Sequence, residues 1–480
     1  MSHPVHRIVI VGGGISGLAT AFSIQEECQR LNCPIDCTLL EEHHRFGGKV
    51  LTHHVDEFVI EGGPDSFLTS KPWALELCEK LGLSDQLINT KMENSRTFCF
   101  TKGQMRELPQ GLLAFAPTRL SALMSGGLIS PLGMLRMGWE WFVPRSTNVE
   151  HDESLASFFR RRLGTEAFDH FLEPLVAGIY AGDANELSLK STFPRFYELE
   201  QQYGSLIKGM RTLQAHAKSR SAAQKPQRTM FTTLRGGLRD LIQALVKHIE
   251  SNGASLFTGR HVLEITQNQT TLPAGYTVVL DNQEKVIADD VILATPAYVS
   301  ANLLKSLHPR VALLLNQIPY CSTATISLAF PEHEVKKAIQ GFGFVVPRIE
   351  GRSMIAATWT SLKWPNRAKP EHVLIRCYVG GKGREAILEE SDSVMVTYVR
   401  EQLREIVGIA CEPLFTEVYR WDRAMPQYVC GHSKRLQEIR TVMNDLPGIH
   451  LTGAAFEGLG IPDCIRDGMR VGADVVRLYQ

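Results

Sequence analysis

The chain has 480 residues, with 51 Lys and Arg balancing 51 Asp and Glu, and 44% of it is hydrophobic. That length exceeds what one simple core serves and suits two or three interlocked domains. Charge balance leaves no basic excess, so no nucleic-acid partner is expected. Ten cysteines are scattered without paired CxxC or HxxxH spacing, so they read as reduced thiols of a cytoplasmic protein, and no metal is expected.

Met1 leads into an apolar run by residue 7, which leaves no room for a signal peptide and places the expected site of action on the cytoplasmic side. The segment HRIVIVGGGISGLATAF, residues 6–22, reads as a buried parallel strand, a glycine turn and a helix. Gly12, Gly14 and Gly17 fit G-x-G-x-x-G: the first permits the tight turn, the second a close approach to a pyrophosphate, the third helix-on-strand packing. The helix N-terminus then faces the phosphate charge. The next strand, DCTLLEE, ends at Glu41, where ribose hydroxyls need a carboxylate. Arg45, Gly47 and Gly48 in HHRFGGKV follow at once and would bring a guanidinium and a second backbone segment to the same pyrophosphate, which favours FAD over NAD. The nearby pairs His43–His44 and His53–His54 sit on a loop and a strand, and their alternating directions do not suit a metal.

Further along, LSALMSGGLISPLGML, residues 120–135, is sixteen uncharged residues between Arg119 and Arg136. It is shorter than the ~20 apolar residues a membrane span needs. Two readings stay open for it: a buried helical layer lining a substrate tunnel, or an apolar surface dipping into a bilayer beside Trp139. Residues 213–230 are polar and basic and read as a mobile insertion, while DVILATP, residues 290–296, returns the chain to the first sheet. Near the end, residues 448–476 repeat strand, glycine turn and helix, with Gly453 and the helix start at Ile461, Pro462, Asp463 and Cys464 placed to line a ligand. No second G-x-G-x-x-G follows a strand, so no nicotinamide site is expected; the flavin must be reduced by the substrate itself and reoxidised by oxygen or another acceptor.

With these motifs, and with EGGPDSFLTSKPWALELCEKLGL (61–83), FLEPLVAGIYAGDANELSLKSTFP (171–194), FTTLRGGLRDLIQAL (231–245) and GAAFEGLGIPDCIRDG (453–468), the chain resembles the oxygen-dependent protoporphyrinogen and coproporphyrinogen oxidases of the flavin amine oxidase superfamily over nearly its whole length. The resemblance implies FAD contacts at Gly12, Gly14, Gly17, Glu41, Arg45, Gly47, Gly48, Gly62, Gly63, Gly453, Ile461, Pro462, Asp463 and Cys464. It implies a propionate grip at Arg96, a backbone carbonyl facing the tetrapyrrole at Gly178, and an aromatic ring over the substrate at Trp364, where the family carries phenylalanine. The implied reaction is six-electron oxidation of a porphyrinogen to a porphyrin in three hydride-transfer cycles, with molecular oxygen as acceptor. No residue is assigned as a catalytic base, since pyrrole nitrogens can release protons directly. An amine oxidase or carotenoid-type desaturase acting on another apolar substrate is the alternative, along with a flavin-binding scaffold without turnover. A homodimer and a peripheral membrane contact also stay open.

The expected fold is mixed α/β. A Rossmann-like FAD-binding domain is assembled from 1–90, 231–300 and 440–480; a helical domain spans 91–205, a mobile basic insertion 206–230, and a mixed substrate-binding domain 301–439.

Overall fold

A computed structural model describes residues 5–93, 95–108, 127–146, 152–220, 228–268 and 275–479. Its central layer is a five-stranded parallel sheet. In spatial order the strands are Ser255–Phe257, Ile35–Leu40, His6–Val11, Asp290–Leu293 and Ile449–Leu451. Strands from both chain ends and the middle therefore share one sheet, as expected for the FAD-binding segments. Ile8, Ile10, Leu39 and Ile292 are buried on one face against the first and last helices, while Val9, Leu40, Val291 and Leu293 are buried on the other. A parallel sheet covered on both faces produces such continuous apolar runs.

The helices Ile15–Leu31 and Ile461–Arg477 lie side by side. Glycine sets their separation: a Cβ on Gly468 would meet Ser16 O at 2.4 Å, and one on Gly472 would meet Thr20 O at 2.6 Å. Ser16 pairs with Gly468 and Thr20 with Gly472, so the helices run in the same direction and aim their N-termini toward the same end of the sheet.

A seven-stranded sheet forms the second layer, in the order Phe415–Pro426, Tyr320–Pro331, His372–Gly380, Met354–Trp359, Gly343–Val345, Phe98–Thr101 and Gln104–Glu107. Its last two strands come from the stretch expected to be helical. They form a hairpin at Lys102 and Gly103, whose φ values of 53° and 71° suit a tight two-residue turn.

Among the described residues that follow in that stretch, helices from Pro131 onward gather around Phe158, Phe159, Phe168 and Phe171. The apolar stretch 120–135 falls partly outside the described residues. The expected mobile insertion is also corrected in part: residues Leu206–Arg220 form a helix, because Leu206, Met210 and Leu213 recur at helical spacing and pack against the same phenylalanine-rich cluster. Residues 221–227 lie outside the description. No helix among the described residues is long and apolar enough to cross a membrane.

Candidate cofactor and substrate site

The first glycine loop takes its shape from backbone contacts. Gly12 has φ +106°, its N–H donates to Leu40 O at 2.8 Å, and an added Cβ would lie 2.9 Å from Ala294 O. Gly17 is tighter still, with its virtual Cβ 1.9 Å from Gly12 O, so only glycine lets the helix close onto its own loop. Gly14 differs from both: its φ of −71° suits any residue, and its Cβ direction meets only Gly48 Cα, at 4.0 Å. Space is kept open there by a residue whose conformation does not require glycine.

Three further backbone segments converge on that space. Gly47 N–H donates to Gly13 O at 2.8 Å, and Gly14 and Gly47 form an isolated parallel bridge. Gly453, at φ +125°, has Ser16 Oγ as the nearest neighbour of its Cβ direction, at 4.0 Å. Both helix N-caps, Gly14 and Gly460, lack a side-chain capping bond. Orphan N–H donors at two co-directed helix starts, around space that Cβ atoms at Gly14 and Gly453 would enter, fit the pyrophosphate of a dinucleotide.

The acidic and basic partners do more local work than expected. Glu41 is buried, and its carboxylate accepts from Gly13 N at 2.7 Å and His43 N at 2.9 Å, so it braces the loop. Arg45 was expected near the pyrophosphate; instead its guanidinium donates to Gly48 O at 2.7 Å and Val50 O at 3.2 Å. Those carbonyls lie within five residues of it, and satisfying them fixes the Gly47–Gly48 turn. Next to this turn stands Lys49, a cation near Cys464 in the first turn of the last helix. Solvent reaches its side chain, yet atoms crowd it, and this burial lowers its pKa despite nearby Cys464 and Cys321.

Gly62 and Gly63 connect the two layers. A Cβ on Gly63 would lie 1.8 Å from Lys49 O, and Gly62 O accepts from Trp421 Nε1 at 2.8 Å, Thr325 Oγ1 at 2.9 Å and Arg376 at 3.1 Å. At the last helix, Asp463 is buried and pairs with Lys71 at 2.5 Å, while Cys464 is buried with its thiol pKa pushed up to about 11 by desolvation. Ile461 and Pro462 are buried in the same first turn.

A buried apolar cluster lies between the seven-stranded sheet and the helix Glu173–Tyr180. Ala177, Ala181, Cys321 and Ile355 cluster there with Ala356, Tyr378 and Met425. Gly178 occupies the last turn of that helix; it is exposed and its Cβ direction is open. Its carbonyl is among the last four, which a helix leaves without an intrahelical partner.

Trp364 requires a correction. It is fully buried, with its indole Nε1 3.3 Å from Asp65 Oδ2, and presents no ring face to a substrate. Asp65 also contacts Lys363 at 3.3 Å; burial acts to raise its pKa, but Lys363 and Arg376 hold it well below the carboxylate range. Trp364 thus secures a buried ion pair. The half-buried rings against Gly62 and Gly63 are those of Tyr419 and Trp421, while Tyr378, also half-buried, has the Arg376 guanidinium 4.9 Å from its centroid. Arg96 is 39% exposed along its side chain and stands 3.6 Å from Glu107.

Residues 15–476 match the family described as flavin containing amine oxidoreductase. The chain belongs to that family. It is 38% identical to coproporphyrinogen III oxidase of Bacillus subtilis, with 99% of each chain covered. It is 30% identical to chloroplastic protoporphyrinogen oxidase of Nicotiana tabacum, covering 97% of this chain and 85% of that one. A solved structure from Exiguobacterium sp. 255-15, provisionally named protoporphyrinogen oxidase, superimposes over all of both chains at TM-score 0.87 and 32% identity. The enzyme is an FAD-dependent oxidase, and the glycine cradle is where this chain can take the cofactor's pyrophosphate.

Proposed function

We propose that this oxidase converts a porphyrinogen to its porphyrin in haem biosynthesis with molecular oxygen as acceptor, and that coproporphyrinogen III is the preferred substrate. The observation carrying this reading is the relationship over 99% of each chain, at 38% identity, to coproporphyrinogen III oxidase of Bacillus subtilis, joined to a glycine cradle that fits a dinucleotide pyrophosphate. The preference for coproporphyrinogen draws on the name of the relative sharing 38% identity.

Bound FAD supplies two-electron acceptance and return of the electrons to oxygen. The chain's own residues supply position. The helix starts at Ile15 and Ile461 would hold the negative charge of the cofactor's pyrophosphate, and Gly62 and Gly63 let this segment pack tightly against Tyr419 and Lys49 O. Apolar walls exclude water from the reacting methylene carbon. Arg96, two residues before the strand Phe98–Thr101, grips a propionate.

The same reading docks the helical region on a bilayer surface. Leu132, Leu135, Trp139 and Phe142 are each more than 60% exposed, and Trp139 and Phe142 touch at 5.3 Å between ring centroids. Arg211 lies over the neighbouring Trp141, at 5.5 Å, a cation suited to anionic headgroups. Steady-state assays with both porphyrinogens test the function: three oxygen molecules consumed per porphyrin formed, with faster turnover of coproporphyrinogen III, is the expected result. Dependence on added NAD or NADP, or oxidation of amines alone, would overturn it.

A further inference from the structure

We infer that Tyr428 and His432 form a clasp that positions the second cofactor loop, residues 453–460, and ties it to the substrate-side segment 180–188. Both are buried, and their contacts run to the loop and to each other. The Tyr428 hydroxyl donates to Ala454 O at 2.7 Å and accepts from Gly458 N at 2.9 Å. One buried oxygen therefore closes the loop across four residues, and Gly458 at φ +132° is the left-handed position that lets the backbone turn back to meet it. The His432 ring stacks on Tyr428, with centroids 4.1 Å apart and planes 13° from parallel, and has the Ala455 backbone as a polar neighbour. Burial, with the Arg435 cation beside it, lowers the His432 pKa to about 4, so the stack carries no buried charge at neutral pH.

The other end of the clasp is fixed to the substrate side. Tyr428 O accepts from Ser188 N at 2.8 Å, Cys430 N donates to Glu186 O at 2.9 Å, and Leu187 bridges to Val429. Asp152 holds both chains at once, accepting from Ser188 Oγ at 2.6 Å and from Gly431 N at 2.7 Å. Gln427 Nε2 donates to Tyr180 O at 3.0 Å, at the end of the helix Glu173–Tyr180 that carries Gly178. A single stretch, residues 427–432, thus sets the distance between the loop at the cofactor and the helix at the substrate. The loop borders Gly453, so a change in its closure alters how the cradle meets the cofactor.

Tyr428→Phe removes one oxygen and keeps the ring, the stack and every backbone tie. Apoprotein is titrated with FAD by fluorescence quenching, and hydrogen exchange is followed across 453–460 in wild type and variant. FAD slows exchange of this loop in wild type. The variant is expected to bind FAD about tenfold more weakly, because the hydroxyl's two hydrogen bonds to the loop are lost and binding must then close it, with faster exchange confined to the loop and an apoprotein melting temperature close to wild type. Unchanged FAD affinity in the variant would overturn the clasp, as would weaker binding accompanied by faster exchange throughout the protein, which marks general destabilisation. Wild-type loop exchange that ignores FAD would overturn it at an earlier step, by removing the loop from the cofactor site.

Discussion

Replacing Gly14 by valine separates cofactor binding from folding. At φ −71° and ψ 179° the backbone accepts any residue, and an added Cβ meets only Gly48 Cα, at 4.0 Å. The apoprotein is therefore expected to fold and to lose about 1 kcal/mol at most, through the poorer N-cap. The valine methyl groups then occupy the space assigned to the pyrophosphate. Overpacking of this kind costs roughly 1 to 3 kcal/mol, which weakens FAD binding about ten- to a hundredfold. Gly17→Ala is the contrasting perturbation: its Cβ would lie 1.9 Å from Gly12 O, so it lowers the melting temperature of apoprotein and holoprotein alike. The assay is FAD titration of apoprotein alongside thermal unfolding. Wild-type FAD affinity in Gly14→Val would refute the reasoning, since the open Cβ direction would then not face the cofactor.

Four other perturbations address separate parts of the account. Arg96→Ala removes a charge-assisted contact of roughly 1.5 to 3 kcal/mol, so kcat/KM falls about ten- to a hundredfold while the flavin spectrum is unchanged, and lysine restores part of the loss. Tyr378→Ala raises KM for the porphyrinogen, whereas Trp364→Phe, which leaves Asp65 without its indole donor, lowers the melting temperature and leaves KM in place; the reverse pattern would return the stacking role to Trp364. Asp290 is buried and accepts from His6 at 2.6 Å, His450 at 2.7 Å and Tyr479 at 2.6 Å; burial acts to raise its pKa, but these bonds hold it well below the carboxylate range. A depressed folded-state pKa stabilises above the unfolded value of about 3.9 and is lost as pH falls through the folded value, so the melting-temperature gap between wild type and Asp290→Asn narrows on acidification below about pH 5 and is flat above it. Leu135→Glu, on the exposed face of the helix Pro131–Gly138, reduces co-sedimentation with anionic vesicles without changing FAD content; unchanged co-sedimentation would remove the membrane role.

The cofactor half of the protein was legible because glycine spacing and strand-helix alternation are local and carry their own geometric reasons. Gly12 and Gly17 stand where backbone atoms leave no room for a Cβ, and Gly14 where the site must stay open. Charged side chains were read less well. Arg45 has the right type and place in sequence, yet carbonyls within five residues capture its donors, and its guanidinium holds the Gly47–Gly48 turn. Trp364 stands beside Pro365 at a chain turn, and nothing local indicates that Asp65, 299 residues earlier, draws its indole inward. Tyr378 was hidden in HVLIRCYVG, a strand apolar on both faces, where alternation cannot mark the side that packs on the apolar cluster. The hairpin at Lys102–Gly103 carried a signal in its two-residue turn, but the apolar run after it dominated the reading of that region. The helix Leu206–Arg220 was divided by attention to its polar second half, although Leu206, Met210 and Leu213 already marked a buried stripe.

The central claim, that this FAD enzyme takes its electrons from a porphyrinogen, is tested most directly by anaerobic titration of the holoenzyme with coproporphyrinogen III, following flavin bleaching and porphyrin fluorescence together. Because the oxidation releases six electrons and each flavin accepts two, one porphyrinogen is expected to bleach three flavins, with the colour returning on admission of oxygen. A flavin that stays oxidised in the presence of both coproporphyrinogen III and protoporphyrinogen IX, yet bleaches with an amine, would contradict the account.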